Sequence, residues 1–399
     1  PPAGSFIITL VPAVFSVVLV VAAVGRYGLP QLNRIDWIVI LIVFATVITN
    51  ELHFDYAISL SGNAIARVLA LYFAFRILAE DARLLRQVTI TTFTVGALLA
   101  VEGVYERLNE RNIFLELRTP GYLASTWGKL QLRFGEVRAA ASFGHPIALG
   151  MFVATCIVLG FALYITTQRT SAKAAIILGE VALVGGLWAT LTRGPILMAV
   201  LGFVLFALRA RGSRGTLFGL GAVGAGVAYV SPLGDQIDKL IAGQQSDQIV
   251  ASSTEYRQTL IQALFDPQYW SLLGQTRVNP YNVQQAFNYS IPSVDNEYLL
   301  RLVSYGGVGL VLFAAVAVLV VWVALTENDP LYRAWAAATA SAAACLLTVA
   351  LLLQEADFFW IGVAITAAAL ATRRSRRRED RRVEMVPAPA PRAVEGLPA

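Results

Sequence analysis

Apolar runs long enough to cross a bilayer recur along most of this chain, and that feature removes most folds from consideration. Composition agrees: 57% of the 399 residues are hydrophobic and only 14% are charged. Soluble domains carry about 25% charged residues, so an ordinary soluble enzyme is excluded, and so is a disordered chain. The expected fold class is all-α, a polytopic transmembrane helical bundle. Eleven spans are predicted, near 5–24, 36–50, 61–78, 88–103, 146–166, 174–191, 194–208, 215–231, 296–323, 333–352 and 356–372. Polar flanks and tilt accommodate the shorter ones.

Charge placement predicts the topology. The chain carries 31 Lys+Arg and 26 Asp+Glu, a net charge of +5. The basic residues fall in gaps between apolar runs, which makes nucleic acid a poor explanation for them. One set of connections holds Arg26 and Arg34; Arg76, Arg83 and Arg86; Arg169 and Lys173; Arg209, Arg211 and Arg214; and Arg333. The tail from Arg373 falls on the same side, and the positive-inside rule makes that side cytoplasmic. The long loops 104–145 and 232–295 fall outside. Residues 1–372 therefore read as a single transmembrane unit. Residues 373–399 read as a cytoplasmic tail, Arg-rich and then Pro/Ala-rich, with the composition of a disordered end. With eleven spans and an inside C-terminus, Pro1 lies outside, so a further upstream helix is expected, making twelve. Cys156 and Cys345 sit in apolar runs and read as small core residues. With only His53 and His145 and no zinc-type spacing, a metal site is not expected.

Chemistry is expected at the external loop–helix junctions. The first long loop ends in Arg138-Ala-Ala-Ala-Ser-Phe-Gly-His145-Pro146, where Pro146 suits the first turn of a helix. His145 is either a cap or core residue or a binding group. Thr192-Arg193-Gly194-Pro195 joins two spans with almost no loop. Arg193 either snorkels to the interface or, beside an outward-facing helix start, forms an anion site. In the second loop, apolar residues 260, 261, 264 and 265 predict an amphipathic helix with Arg257 near its start, solvating it or binding a ligand. That loop ends in Asp295-Asn296-Glu297-Tyr298-Leu-Leu-Arg301. Asp295 or Asn296 can cap the next helix and Glu297 suits its dipole. Arg301 lies within the span, four residues from Glu297, and a pair between them is expected.

These features together resemble the O-antigen ligase and O-antigen polymerase superfamily, bacterial membrane glycosyltransferases that use undecaprenyl-diphosphate-linked glycans. The likeness extends over nearly the whole chain. It rests on many spans, a large late external loop, and three regions: Arg138–Pro146, Thr192-Arg193-Gly194, and Arg257 through Gly309. The ligase motif is His, then Asn, Ser or Gln, nine residues, Gly, two residues, then Gly, Thr or Tyr. Asn296, Gly306 and Gly309 keep that spacing, while Asp295 stands where the ligases have His. The resemblance implies that Arg193 and Arg257 hold the lipid diphosphate, with Arg138, His145, Asn296 and Arg301 as further candidates for binding phosphate or sugar. Guanidinium forks suit a diphosphate leaving group, and a glycan already activated in this way requires neither nucleotide cofactor nor metal. Asp295 becomes the candidate base in place of His, with Glu297 second.

The Asp-for-His change favours a polymerase of O-antigen or exopolysaccharide repeat units over a ligase acting on lipid A-core. Either would work on the outer face of the bacterial inner membrane. Partners are then the lipid-linked donor, a glycan or lipid A-core acceptor, and the bilayer. The rival of another class is a transporter or flippase, which calls for ionisable residues at the membrane midplane. Against it, only Arg67 and Arg301 among basic residues are placed well within spans, and Glu102 and Glu180 are placed towards span ends.

Overall fold

The computed structural model describes residues 3–53, 61–62, 64–116, 130–133, 135–209, 258–274, 294–351 and 354–384. The structure is about 81% helical, which makes the chain all-α. A hairpin pairs Gln131–Arg133 with Glu136–Arg138. Among the described residues, five helices are long and apolar enough to cross a membrane, judged by length and composition: Ala82–Asn109, Pro146–Thr166, Thr170–Ala189, Glu297–Thr326 and Ala356–Arg374. Pro12–Tyr27 and Arg193–Ala207 are shorter apolar helices. The expected span 215–231 lies outside the described residues.

The Pro146 helix and the Pro330–Cys345 helix form the centre. The Pro330 helix is rich in alanine and almost wholly buried among the Pro146, Arg193, Glu297 and Gln354–Glu384 helices. Lipid offers no hydrophobic drive between helices, and small side chains let backbones approach closely. Around this centre the Ala82, Thr170 and Glu297 helices turn large apolar residues outward, including Leu98, Leu178 and Val318. A helix apolar all round, with half its surface unburied by protein, suits a lipid boundary.

The bundle has two chemically distinct ends. At one, Arg76 is fully buried and donates to Asp36 at 3.1 Å, to Glu80 at 2.5 Å and to the Gln31 carbonyl. Nearby, Asn33 donates to the Ala367 carbonyl and the Tyr332 hydroxyl to that of Ala79. Arg373 pairs with Glu327 at 2.7 Å, and Arg333 reaches the Arg209 carbonyl. Arg86 donates to Thr166 and Thr167 at this end too. The opposite end holds the His145 and Arg193 helix starts, the entrance at Asn296–Glu297, and the stretch 346–351.

Several boundaries differ from the sequence reading. The span expected over 333–352 stops at Cys345, because the backbone of 346–351 is recruited to hold the Glu297 entrance. The last helix runs on through the Arg-rich stretch, assigned by composition to an irregular tail, as far as Glu384. Arginine and glutamate are good helix formers, and at about 1.5 Å per residue the helix outlasts a hydrocarbon core of about 30 Å. The span 61–78 contains a π-helical stretch, Ala64–Ala70, before Leu71–Leu78. Glu180 lies in the middle of its helix, not towards an end, and its Oε1 occupies the space a side chain at Gly160 would need.

Candidate functional site

The first entrance is held from beneath by the Ala82 helix. Glu106 Oε2 accepts the backbone N–H groups of Ala140 and Ala141 at 2.9 and 2.8 Å, and Asn112 donates to the Ala141 carbonyl. These contacts restrain Ala141 at φ +44°, a left-handed conformation that costs a non-glycine residue about 1–2 kcal/mol. Arg107 stacks on Trp188 and pairs with Glu136 of the hairpin. The hairpin exit lies along the Thr190–Thr192 turn. Ala139 N–H donates to Ala189 O, Arg138 Nε to Thr190 O, and Arg133 to Leu191 O.

His145 caps the Pro146 helix: its Nδ1 accepts the Ile147 N–H at 3.3 Å. Burial first, and then the cation of Arg138, push its pKa down to about 4. The ring is therefore neutral at pH 7, with Nδ1 committed to the cap. Of the roles open from sequence, the structure shows capping.

The second entrance packs directly on the first. A side chain at Gly150 would collide with Pro195 and Thr192, so the two helix starts touch there. Leu191 at φ +50° closes the turn, and the Thr190 and Thr192 hydroxyls share a hydrogen bond at 2.6 Å. Arg193 is the first residue of its helix, and the N-cap Thr192 makes no side-chain cap. A guanidinium beside uncapped helical N–H groups can hold an anion. Gly194 faces Cys345 and Thr348, at the far end of the Pro330 helix.

The third entrance grips the same stretch from its other side. Asn296, fully buried, caps its helix by accepting Leu299 N–H at 3.0 Å. The Glu297 N–H donates to Leu346 O and Val349 O. Glu297 Oε2 accepts Leu351 N–H at 2.9 Å, and Oε1 accepts Arg301 at 2.7 Å, the pair expected from their spacing. Arg301 lies between the rings of Tyr305 and Phe313. Both Glu297 oxygens are thus engaged in structure; Asp295, which precedes the N-cap Asn296, is partly exposed.

The segment 258–274 docks on this entrance. Its helix over 258–264 buries Leu260 and Ala263 against Leu299, Leu302 and Val303. Leu264 packs against the same cluster, while Ile261 and Phe265, from the same expected apolar face, are exposed. Gly306, at φ +73° and ψ −171°, kinks the Glu297 helix there. A Cβ at that position would meet Leu272 O and Gly274 N, and the kink lets Gly307 N–H donate to Ser271 O at 2.7 Å. Arg257 itself lies outside the described residues, immediately before this segment.

The structure therefore joins Arg138, His145 and Arg193 through the 189–195 turn, and joins Arg193 to Asn296, Glu297 and Arg301 through 345–351. Sequence reasoning missed two features at this end. Arg67 pairs with Asp357 at 2.5 Å, on a helix whose Phe358 stacks between Phe143 and Phe152. An arginine inside an apolar run demands such a partner, but spacing does not name it. Asn50 and Ser304 are also buried, with side-chain polar atoms that have no hydrogen-bond partner among the described residues. No group of three or more His, Cys, Asp or Glu side chains able to hold a metal ion occurs among the described residues. No protein-family model matches this chain, and no curated protein matches its sequence.

Proposed function

We propose that this protein is a membrane glycosyltransferase of the O-antigen ligase and polymerase type. It transfers a glycan from an undecaprenyl-diphosphate donor to an acceptor hydroxyl at the outer face of a bacterial inner membrane. In this reading the chain has eleven spans, and the basic end of the bundle is cytoplasmic. The observation that carries the proposal is that Arg138, His145 and Arg193 are joined around the 189–195 turn, and Arg193 to the Asn296–Glu297 entrance through 345–351, at the end of the bundle away from the basic connections.

Arg193 and Arg257 receive the diphosphate. The acceptor oxygen attacks the anomeric carbon as the bond from that carbon to the phosphate oxygen breaks. Undecaprenyl diphosphate leaves, and the hydroxyl proton passes to Asp295. Asp295, which stands where the ligase motif has its His, is the base, and Glu297, held by Arg301 and Leu351, positions the entrance. Asp295 in place of His favours growth of repeat-unit chains over transfer to lipid A-core.

The test is incubation of the purified protein with lipid-diphosphate-linked repeat units, without metal or nucleotide. Longer lipid-linked chains are the expected product. Transfer only to lipid A-core establishes the ligase reading. Substrate flux across vesicles with no transfer establishes a transporter, the reading that mid-helix Glu180 favours. Arg193→Ala and Arg257→Ala should each lower transfer at least about 100-fold, the scale for losing one stabiliser of developing charge. Normal rates in both sink the diphosphate role.

A further inference from the structure

The basic end of the bundle carries a second feature, remote from the entrances just described. A cleft of about 840 Å³ opens between the Ala82 and Thr170 helices, with the last turn of the Pro146 helix as its floor. Its two walls are single faces of helices. Ile90, Ala97, Leu98 and Val101 recur at helical spacing on one, and Ala172, Ala175, Gly179 and Ala182 on the other. The small side chains of Ala172, Ala175 and Ala182 leave the room, the Phe93 ring packs across at Gly179, and Ile90, Leu98 and Val101 stay exposed along the first wall.

Charge is confined to one end of the cleft. Arg86 is pinned there by donating to Thr166 at 3.4 Å and Thr167 at 3.1 Å, and exposed Arg169 stands at the start of the Thr170 helix. Ala172 to Ala182 spans about 15 Å of helix, half of a hydrocarbon core of about 30 Å. The cleft therefore has the depth of one leaflet, with a cationic head and an apolar body.

We propose that this cleft is a binding site for a membrane phospholipid with an anionic headgroup. The phosphate sits at Arg86 and Arg169, and an acyl chain lies between the two helical faces. Charge complementarity selects this occupant: a zwitterionic lipid fills the apolar body equally well but gains less from the two cations. The site is independent of the transfer reading, because none of its residues belongs to the entrances at the opposite end.

The experiment uses the full chain in phosphatidylcholine vesicles doped with a photoactivatable phosphatidylglycerol, its reactive group on the acyl chain. Crosslinks are expected in peptides covering 90–101 and 172–182, and more strongly than with the matching phosphatidylcholine probe. Each arginine near an anionic lipid strengthens binding about fivefold, so Arg86→Gln with Arg169→Gln should lower labelling about 25-fold, with Arg→Lys at both positions largely restoring it. Ala175→Trp, which fills the cleft and keeps both arginines, should abolish labelling. It decides the matter alone if the arginine variant fails to fold. Equal labelling by the two headgroups, or undiminished labelling after Ala175→Trp, overturns the proposal.

Discussion

Several arginines of this protein are held inside it and are not surface charges. Arg76 is sealed against Asp36 and Glu80, Arg333 lies over Phe206, and Arg301 is held by Glu297 between two rings. Removing one partner of such a pair strands the other, at a cost of about 3–5 kcal/mol. Glu297→Gln should therefore lower the melting temperature of the detergent-solubilised protein clearly. Glu297→Gln with Arg301→Met should recover much of the loss, since the amide still accepts Leu351 N–H and no buried cation remains. An equal loss in both would mean that the pair is not what holds the entrance. His145 supplies a pH signature. Its pKa in the fold, about 4, lies below the ordinary 6.5, so as pH falls the unfolded chain takes up the proton first. Its contribution is constant above about 6.5 and is lost as pH falls towards about 4. His145→Asn retains a capping acceptor without that titration, and should flatten the dependence of melting temperature on pH across this window. The Glu297–Arg301 pair was legible because four residues on a helix is a geometric statement. His145 as cap was one of two open roles, settled only by where its Nδ1 points.

Elements were legible in kind and less so at their ends. Long apolar runs became helices, but where each stops depends on partners elsewhere in the chain. The Pro330 helix ends at Cys345 because the Glu297 entrance takes the next carbonyls, a contact that apolar periodicity does not encode. Gly306 was noticed for its motif spacing, yet its work is to break a helix so that 271–274 can pair with it. This backbone region is nearly restricted to glycine, and other residues there cost about 1–3 kcal/mol before any clash. Gly306→Ala should straighten the helix and release the 258–274 segment. Limited proteolysis should then cut within 258–274 faster than in the wild type, while cleavage elsewhere stays unchanged. Unaltered protection would show that the segment is held without the kink. The amphipathic helix was legible from its apolar residues, but its packing on protein through Leu260, Ala263 and Leu264 depends on the Glu297 helix, which the segment itself does not encode.

Over the whole molecule, the alternation of basic and non-basic connections read from sequence corresponds to two separate ends of one bundle. Which end faces the cytoplasm is a matter for labelling. Both native cysteines are buried, which gives a quiet background. Asn109→Cys should react with a membrane-impermeant maleimide in intact cells, and Ser375→Cys only after permeabilisation. The reverse pattern inverts the proposed orientation and removes the site from the outer face. The joining of three distant entrances, through the 189–195 turn and through 345–351, was not legible. Each carries its own local signature, but their meeting depends on helix packing that no single segment specifies.

The Arg67–Asp357 pair has a further consequence, for the order of events at the ribosome. The two residues are 290 positions apart. At about 5–20 residues per second, Arg67 is synthesised roughly 15–60 s before Asp357 exists. For that interval the first helices must shelter a guanidinium whose final carboxylate has yet to be made. The Gln354–Glu384 helix is thus the piece whose arrival completes the interior around Arg67, and a chain cut short before Asp357 forfeits that closure however well its earlier helices insert.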